Sequence, residues 1–169
     1  MKKSNLMLFA GMFVLVNTFL LSCEKTELDN EKPVIRLISP QEGEAIKPGG
    51  DLHFEVEFTD NVALGSYKVN IHGAFDDHTH SAAAFTRAEG DSSSEPFEKT
   101  WLEVDFIALG DEPIAGKRNA SIHHHHILIP ENVKEGNYHF LVYCTDDAGL
   151  ESFVAREITL SSDAEEHPH

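Results

Sequence analysis

The stretch Leu52-His-Phe-Glu-Val-Glu-Phe-Thr59 carries the clearest structural signal in the chain. Four apolar side chains alternate there with polar ones, and strict alternation is typical of a β-strand with one buried and one solvated face. Six further strand-like runs, separated by turn residues and without a helical period, lie at residues 34–38, 66–72, 97–107, 122–129, 137–145 and 152–160. Seven short strands predict an all-β fold, an immunoglobulin-like antiparallel β-sandwich.

The loop after the third predicted strand, the fourth predicted strand and the run from Tyr138 each give a further structural signal. A long polar loop, residues 73–96, follows the third predicted strand, and loops of this length are often functional. After it, Leu102, Val104 and Phe106 alternate with polar residues, which predicts that the fourth strand continues through 97–107. The run that begins at Tyr138 resembles the tyrosine-corner strand of immunoglobulin-like domains.

The N-terminus has the layout of a secretory leader. Met1-Lys2-Lys3 precedes an apolar run that is short for a membrane span, and Leu20-Leu21-Ser22-Cys23 follows. This ending resembles a bacterial lipobox, in which Cys23 becomes the acylated N-terminus. We therefore expect residues 1–22 to be a lipoprotein signal peptide and Cys23 to anchor the exported protein to a membrane of the cell envelope. An uncleaved N-terminal anchor is the alternative.

The remaining chain divides by composition. Residues 23–32 are polar and aperiodic and predict a flexible tether, residues 33–160 predict the sandwich, and residues 161–169 predict a disordered polar tail. If Cys23 carries lipid, Cys144 has no partner for an intramolecular disulfide. Its position in a strand predicts a buried, inert thiol.

The chain is strongly acidic, with a formal net charge of −16. Removing the leader takes away Lys2 and Lys3 and no acid, so the charge becomes −16 − 2 = −18. Nucleic acid is excluded as a partner because phosphate contacts require basic patches. Cations, in contrast, are attracted to the domain.

Four consecutive histidines stand in the fifth predicted strand, just before Ile127 and Pro130. Because side chains alternate across a strand, two of the four imidazoles face each side, and neighbours on one side are about 7 Å apart. An ion therefore needs ligands from a second segment, for which residues 71–80 are the candidate. The predicted metal ligands are His72, His78, His80, Asp76, Asp77, His123, His124, His125 and His126.

Imidazole and carboxylate suit Zn²⁺ or Cu²⁺, and three nitrogens with one Asp oxygen complete a tetrahedral zinc shell. The leading hypothesis is an envelope lipoprotein that binds a divalent transition metal for sequestration, sensing or delivery. Chance clustering of histidines on solvated strand faces is the structural alternative. His53 and His139 are expected to be outward strand residues rather than ligands.

Other functions have weaker support in the sequence. No motif of a hydrolase, phosphate-binding loop or thiol enzyme is present, so the protein is not expected to be an enzyme. Asp60-Asn61 and Asp146-Asp147 are expected to lie together at one end of the sandwich, but such residues usually hydrogen-bond their own turns, so calcium is an unlikely ligand. An adhesion, glycan-binding or structural accessory module with a protein partner in the envelope is the alternative function.

The combined pattern resembles a family of Bacteroidetes-type lipoproteins with a histidine-rich immunoglobulin-like domain of unknown function. The resemblance rests on the lipobox, on Pro33 to Pro40, on the Phe-Thr-Asp-Asn turn with Ser66-Tyr67-Lys68, and on the two histidine segments. It implies an immunoglobulin-like lipoprotein and supplies neither an activity nor a ligand.

Overall fold

A computed structural model describes residues 28–75 and 95–165 of the chain. They form two packed β-sheets, which confirms the all-β, immunoglobulin-like sandwich. In chain order the strands are β1 (Val34–Ser39), β2 (Glu44–Ile46), β3 (Asp51–Thr59), β4 (Leu64–Gly73), β5 (Glu98–Leu102), β6 (Asn119–Leu128), β7 (Gly136–Asp146) and β8 (Glu151–Leu160). A short helix, α1 (Glu103–Ile107), follows β5 directly. No helix within the described ranges is long and apolar enough to span a bilayer.

One sheet has the strand order β1-β3-β6 and the other β2-β8-β7-β4-β5. Neighbouring strands are antiparallel except β2 and β8, which are parallel. The chain changes sheets at the turn predicted for residues 39–43, where Gly43 has a φ of 74° and its N–H donates to the Glu157 carbonyl (2.8 Å). Strand β2 was not predicted, because three residues are too few to show alternation.

The core lies between the two sheets. From β3, the side chains of Leu52, Phe54, Val56 and Phe58 are at most 1 % exposed, which confirms the alternation of that strand. Tyr67, Val69 and Ile71 of β4 face them and are also buried. Each large apolar side chain buried in this way stabilises the fold by roughly 1.5–3 kcal/mol. The other side of the three-stranded sheet carries mainly polar residues, whereas that of the five-stranded sheet also carries Leu141, Tyr143 and Phe153.

The prediction of one strand through 97–107 was wrong, because the strand ends at Leu102 and α1 begins there. The Asp105 carboxylate accepts the Leu102 backbone N–H (2.8 Å), which supports the first turn of the helix. Residues three apart share a helix face, so Glu103 and Phe106 both point inward. Val104, expected to face the core, is 61 % exposed instead.

The tyrosine corner expected at Tyr138 is present. The buried phenol donates a hydrogen bond to the Lys134 carbonyl (2.6 Å), four residues upstream, and accepts one from the Phe97 N–H (3.2 Å). It therefore joins the start of β7 to the turn before it and to the segment that leads into β5.

Cys144 lies on the inward face of β7 and is fully buried. Burial, with a further contribution from nearby carboxylates, raises the pKa of its thiol to about 12. The predicted burial of this cysteine is therefore confirmed, and the raised pKa supports low reactivity, because the thiolate is the reactive form.

Candidate metal centre

The pairing of β3 with β6 determines which histidines meet. The Cα partners include Phe54 with His124 and Leu52 with Ile127, so one residue of β3, His53, lies opposite two residues of β6. Such a β-bulge changes the direction of the side chains near it. As a result His53 stands beside His123 and His125 on the solvent side of the three-stranded sheet.

The three imidazoles form what we call the outer histidine cluster: His53, His123 and His125. The His53 ring lies nearly parallel to that of His125, with centroids 5.0 Å apart and planes at 9°, and it meets that of His123 edge-on at 4.9 Å. One ring nitrogen from each residue lies within 4.8 Å of the other two. The Nε2 atom of His53 is buried and makes no hydrogen bond to any described residue.

Asp51, two residues before His53 on β3, lies beside the cluster. Its Oδ2 lies 3.6 Å from Nδ1 of His125. Carboxylates in this position orient a metal-binding imidazole or supply a fourth ligand. Nitrogens that share a tetrahedral zinc ion are roughly 3.3 Å apart, so nitrogens within 4.8 Å of one another need to approach by at most about 1.5 Å to share one ion.

The other two histidines of the run face away from the outer cluster. His124 is only 6 % exposed and packs against Phe54 and Phe106, with ring centroids at 5.2 and 4.5 Å. Burial lowers its pKa to about 4, so the ring is neutral near pH 7. This placement confirms that two histidines of the run face each side.

His124 and His126 flank one carboxylate. Oδ2 of Asp111 lies 3.5 Å from Nε2 of His124, and Oδ1 lies 3.7 Å from Nε2 of His126. The Nδ1 atom of His124 accepts the His126 backbone N–H (3.3 Å), so a neutral ring carries its proton on Nε2. Within the described ranges these residues do not bring three ligand atoms within 4.8 Å of one another. We therefore assign them to the packing of β6 rather than to an ion.

His72 does not join the histidine run, contrary to the expectation. It lies on β4 of the five-stranded sheet, and its ring packs edge-on against His139 of β7 at 5.3 Å. Its Nδ1 is 2.6 Å from Oδ1 of Asn70. Because Ile71 faces the core, the next side chain faces outward from a sheet that does not contain β6. The other predicted ligands, His78, His80, Asp76 and Asp77, lie outside the described residues, as does Cys23, the predicted lipidation site.

His53 is the residue that sequence reasoning left out of the site. It is an outward strand residue, as expected, but its neighbours are imidazoles rather than solvent alone. The available signal was the strand order of immunoglobulin-like sandwiches, in which the second and fifth strands of the seven pair with each other. The register of that pairing is not visible in the sequence.

A family model described as "Domain of unknown function (DUF4625)" matches residues 21–161. The chain belongs to this family. The DUF4625 match spans the whole sandwich, including both strands of the outer histidine cluster. No curated protein matches the chain. Because the DUF4625 description carries no activity, function has to be argued from the site itself.

Proposed function

We propose that the protein is an envelope lipoprotein that binds one divalent transition metal ion, Zn²⁺ or Cu²⁺, at the outer histidine cluster, for sequestration, sensing or delivery. The observation that supports this proposal is the approach of ring nitrogens of His53, His123 and His125 to within 4.8 Å of one another. Asp51 is beside them as an oxygen donor or as the residue that orients His125.

The donor set indicates the class of metal. Imidazole nitrogen with carboxylate oxygen suits Zn²⁺ and Cu²⁺, whereas Cu⁺ prefers thiolate and thioether sulfur. The thiol of Cys144 is buried in the core and is not part of the cluster. The acidic chain, at −16, raises the local concentration of any cation.

The exposure of the cluster supports a carrier rather than a structural zinc site. Structural zinc ions are enclosed by four protein ligands. Here His123 is exposed and His53 and His125 are half-buried, so solvent and competing ligands reach the ion. An ion held in this way is accessible to competing ligands, as sensing or delivery requires.

We propose binding without catalysis. A zinc hydrolase needs an open coordination position and a general base next to it. The carboxylate of Asp51 faces a ligand ring at 3.6 Å, where it orients that ring. Lipid attachment at Cys23 and the tether of residues 23–32 complete the proposal, because they hold the domain where envelope metal ions are available.

Calorimetry on the full chain, stripped of metal with a chelator, tests the proposal. We expect one Zn²⁺ or Cu²⁺ per chain with a Kd below about 1 µM, and weakening by about 100-fold or more in His53→Ala with His125→Ala, since two of three nitrogens are lost. The matched control is His72→Ala with His139→Ala, a pair of strand histidines on the other sheet, which should leave the affinity unchanged. Absence of tight binding, or binding that survives loss of His53 and His125, contradicts the proposal.

Two further measurements define the ligand set. Electron paramagnetic resonance of the Cu²⁺-loaded protein should show nitrogen coupling that is lost stepwise with His53, His123 and His125. His78→Ala with His80→Ala shows whether residues outside the described ranges also supply ligands. Because protons compete with the metal for imidazole nitrogen, the affinity should weaken as the pH falls below 7.

A further inference from the structure

Three chain segments meet at the end of the sandwich opposite the outer histidine cluster. The turns after β3 and β7 are adjacent, since the Asp147 backbone N–H donates to the Ala63 carbonyl (3.0 Å). The segment before β1 reaches the same place, where the Asn61 side chain donates to Oδ1 of Asp29 (3.1 Å). Asp60 follows His53 by seven positions along and just beyond β3, which is about 23 Å at the rise of a strand.

Asp29, Asp60 and Asp146 each present a carboxylate oxygen there, and these oxygens lie within 4.8 Å of one another. We call the three residues the aspartate cluster. One oxygen of each residue serves a local hydrogen bond. Oδ1 of Asp60 accepts the Val62 and Ala63 N–H groups (2.8 and 2.7 Å), and Oδ1 of Asp146 accepts the Leu150 N–H (2.8 Å).

The second oxygens of Asp60 and Asp146 lack such partners within the described part of the chain. Oδ2 of Asp60 and Oδ2 of Asp146 are both buried and make no hydrogen bond to any described residue. Asp146 as a whole is only 4 % exposed. Hydrogen bonds within their own turns, as expected from the sequence, therefore account for the Oδ1 atoms of Asp60 and Asp146. They do not account for the Oδ2 atoms. A buried carboxylate oxygen with no donor is costly unless a cation or a proton approaches it.

Among the described residues, no basic side chain supplies that charge. Within residues 28–75 and 95–165, none of the three aspartates forms an ion pair. The nearby Arg118 donates its Nε–H to the Val62 carbonyl (3.3 Å), and Lys117 pairs with Glu112 (3.3 Å). Three like charges at this separation repel one another, and a divalent cation between them reverses the sign of the interaction.

We infer that Asp29, Asp60 and Asp146 form a Ca²⁺ site that fixes the segment before β1 to the end of the sandwich. Ca²⁺ binds six to eight oxygens at 2.3–2.6 Å in a flexible geometry, which carboxylates from three separate segments can supply. Mg²⁺ requires a near-ideal octahedron at 2.0–2.1 Å and keeps several waters, so it is less suited to this cluster. The cluster contains no nitrogen or sulfur donor, which separates it chemically from the outer histidine cluster.

The site joins parts of the chain that are distant in sequence. Asp60 follows β3 of one sheet, Asp146 ends β7 of the other, and Asp29 belongs to the segment expected to be a flexible tether. A bound ion therefore sets the direction in which the tether leaves the domain. Extracellular modules bind Ca²⁺ with Kd values of about 10⁻⁴ to 10⁻³ M, the range expected for three carboxylates with one of them on a tether.

The experiment uses the full chain, stripped of metal, and titrates it with CaCl₂ or MgCl₂ in a calorimeter. Wild type should bind one Ca²⁺ with a Kd below about 1 mM and should bind Mg²⁺ at least about tenfold more weakly. Asp60→Asn with Asp146→Asn keeps the Oδ1 acceptors of both turns and should weaken Ca²⁺ binding at least about tenfold, since two charges are lost. Asp147→Asn, an exposed neighbour outside the cluster, is the matched control and should bind as wild type does.

Asp29→Asn gives a second test in case the double variant does not fold, because Asp29 precedes the first strand. It should also weaken binding, and hydrogen exchange at residues 29–31 should slow on addition of Ca²⁺ in wild type only. Failure to bind Ca²⁺ at several millimolar, or equal affinity in wild type and the aspartate variants, overturns the inference. Zn²⁺ titration of the same variants should be unchanged, so the result is independent of the proposed transition-metal function.

Discussion

Removal of the Tyr138 hydroxyl alone should clearly lower the free energy of unfolding. In Tyr138→Phe the ring stays in place, but the Lys134 carbonyl loses its 2.6 Å donor and the Phe97 N–H loses its 3.2 Å acceptor. Leaving a buried backbone group unpaired costs about 1–3 kcal/mol, and both groups are partly reached by water. The shorter bond contributes about 1 to 1.5 kcal/mol and the longer about half of that, so we expect a loss of about 2 kcal/mol.

Equilibrium unfolding in urea measures this change. With a slope of about 1.5 kcal/mol/M for a domain of this size, a loss of 2 kcal/mol moves the midpoint down by about 1.3 M. The slope itself should be unchanged, because the same surface is exposed on unfolding.

Tyr143→Phe is the matched control on the same strand. Tyr143 lies on the outer face of β7, where its ring contacts Phe153 and the Lys68 ammonium, and its hydroxyl makes no hydrogen bond to a described residue. Phenylalanine keeps both contacts, so the change should be below about 0.5 kcal/mol. A Tyr138→Phe effect as small as that of the control, or equal losses in both variants, refutes the reasoning.

Three other predictions concern buried polar groups. Burial lowers the pKa of His124 to about 4, below its ordinary value of 6.5, so the unfolded chain takes up the proton first. The free energy of unfolding of the metal-free protein should therefore be highest above pH 6.5 and should fall by about 2 to 3 kcal/mol towards pH 4. Urea unfolding at several pH values measures this loss, which should be smaller in His124→Asn. The Cys144 thiol, with its pKa raised to about 12, should resist iodoacetamide at pH 8 until urea unfolds the chain, and fast native labelling would contradict its burial. The Glu103 carboxylate accepts the Ile114 N–H (2.7 Å), so Glu103→Ala should lose about 2 kcal/mol in urea and Glu103→Gln, which retains an acceptor, clearly less.

The outer histidine cluster could be predicted only in part from the sequence. Alternation along β6 correctly separated His123 and His125 from His124 and His126, because it depends only on backbone geometry. The prediction that His72 joins the histidine run was wrong, because His72 lies on β4, in the sheet that does not contain β6. His53 took its place through a bulge, and the position of a bulge depends on how the whole core packs.

The aspartate cluster was also predicted only in part from the sequence. The similarity of the turns at Asp60 and Asp146, together with the strand order of the fold, was enough to place them at one end, and the 3.0 Å bond between Asp147 and Ala63 confirms it. The approach of Asp29 was not predicted, because polar, aperiodic residues give no signal of contact. The helix at 103–107 was missed for a related reason: its five residues are fewer than two turns and also fit an alternating pattern.

The sequence by itself determined most of the strands and their buried faces, the acidity of the chain and the two-sided histidine run. These properties follow from side-chain type and from a backbone repeat of two residues. The tertiary structure decided which outward faces lie against each other and which polar atoms are left unpaired inside. Strands some 70 residues apart in the chain are brought into register by the packing of the complete core, and a shift of one residue replaces every side chain that meets across them.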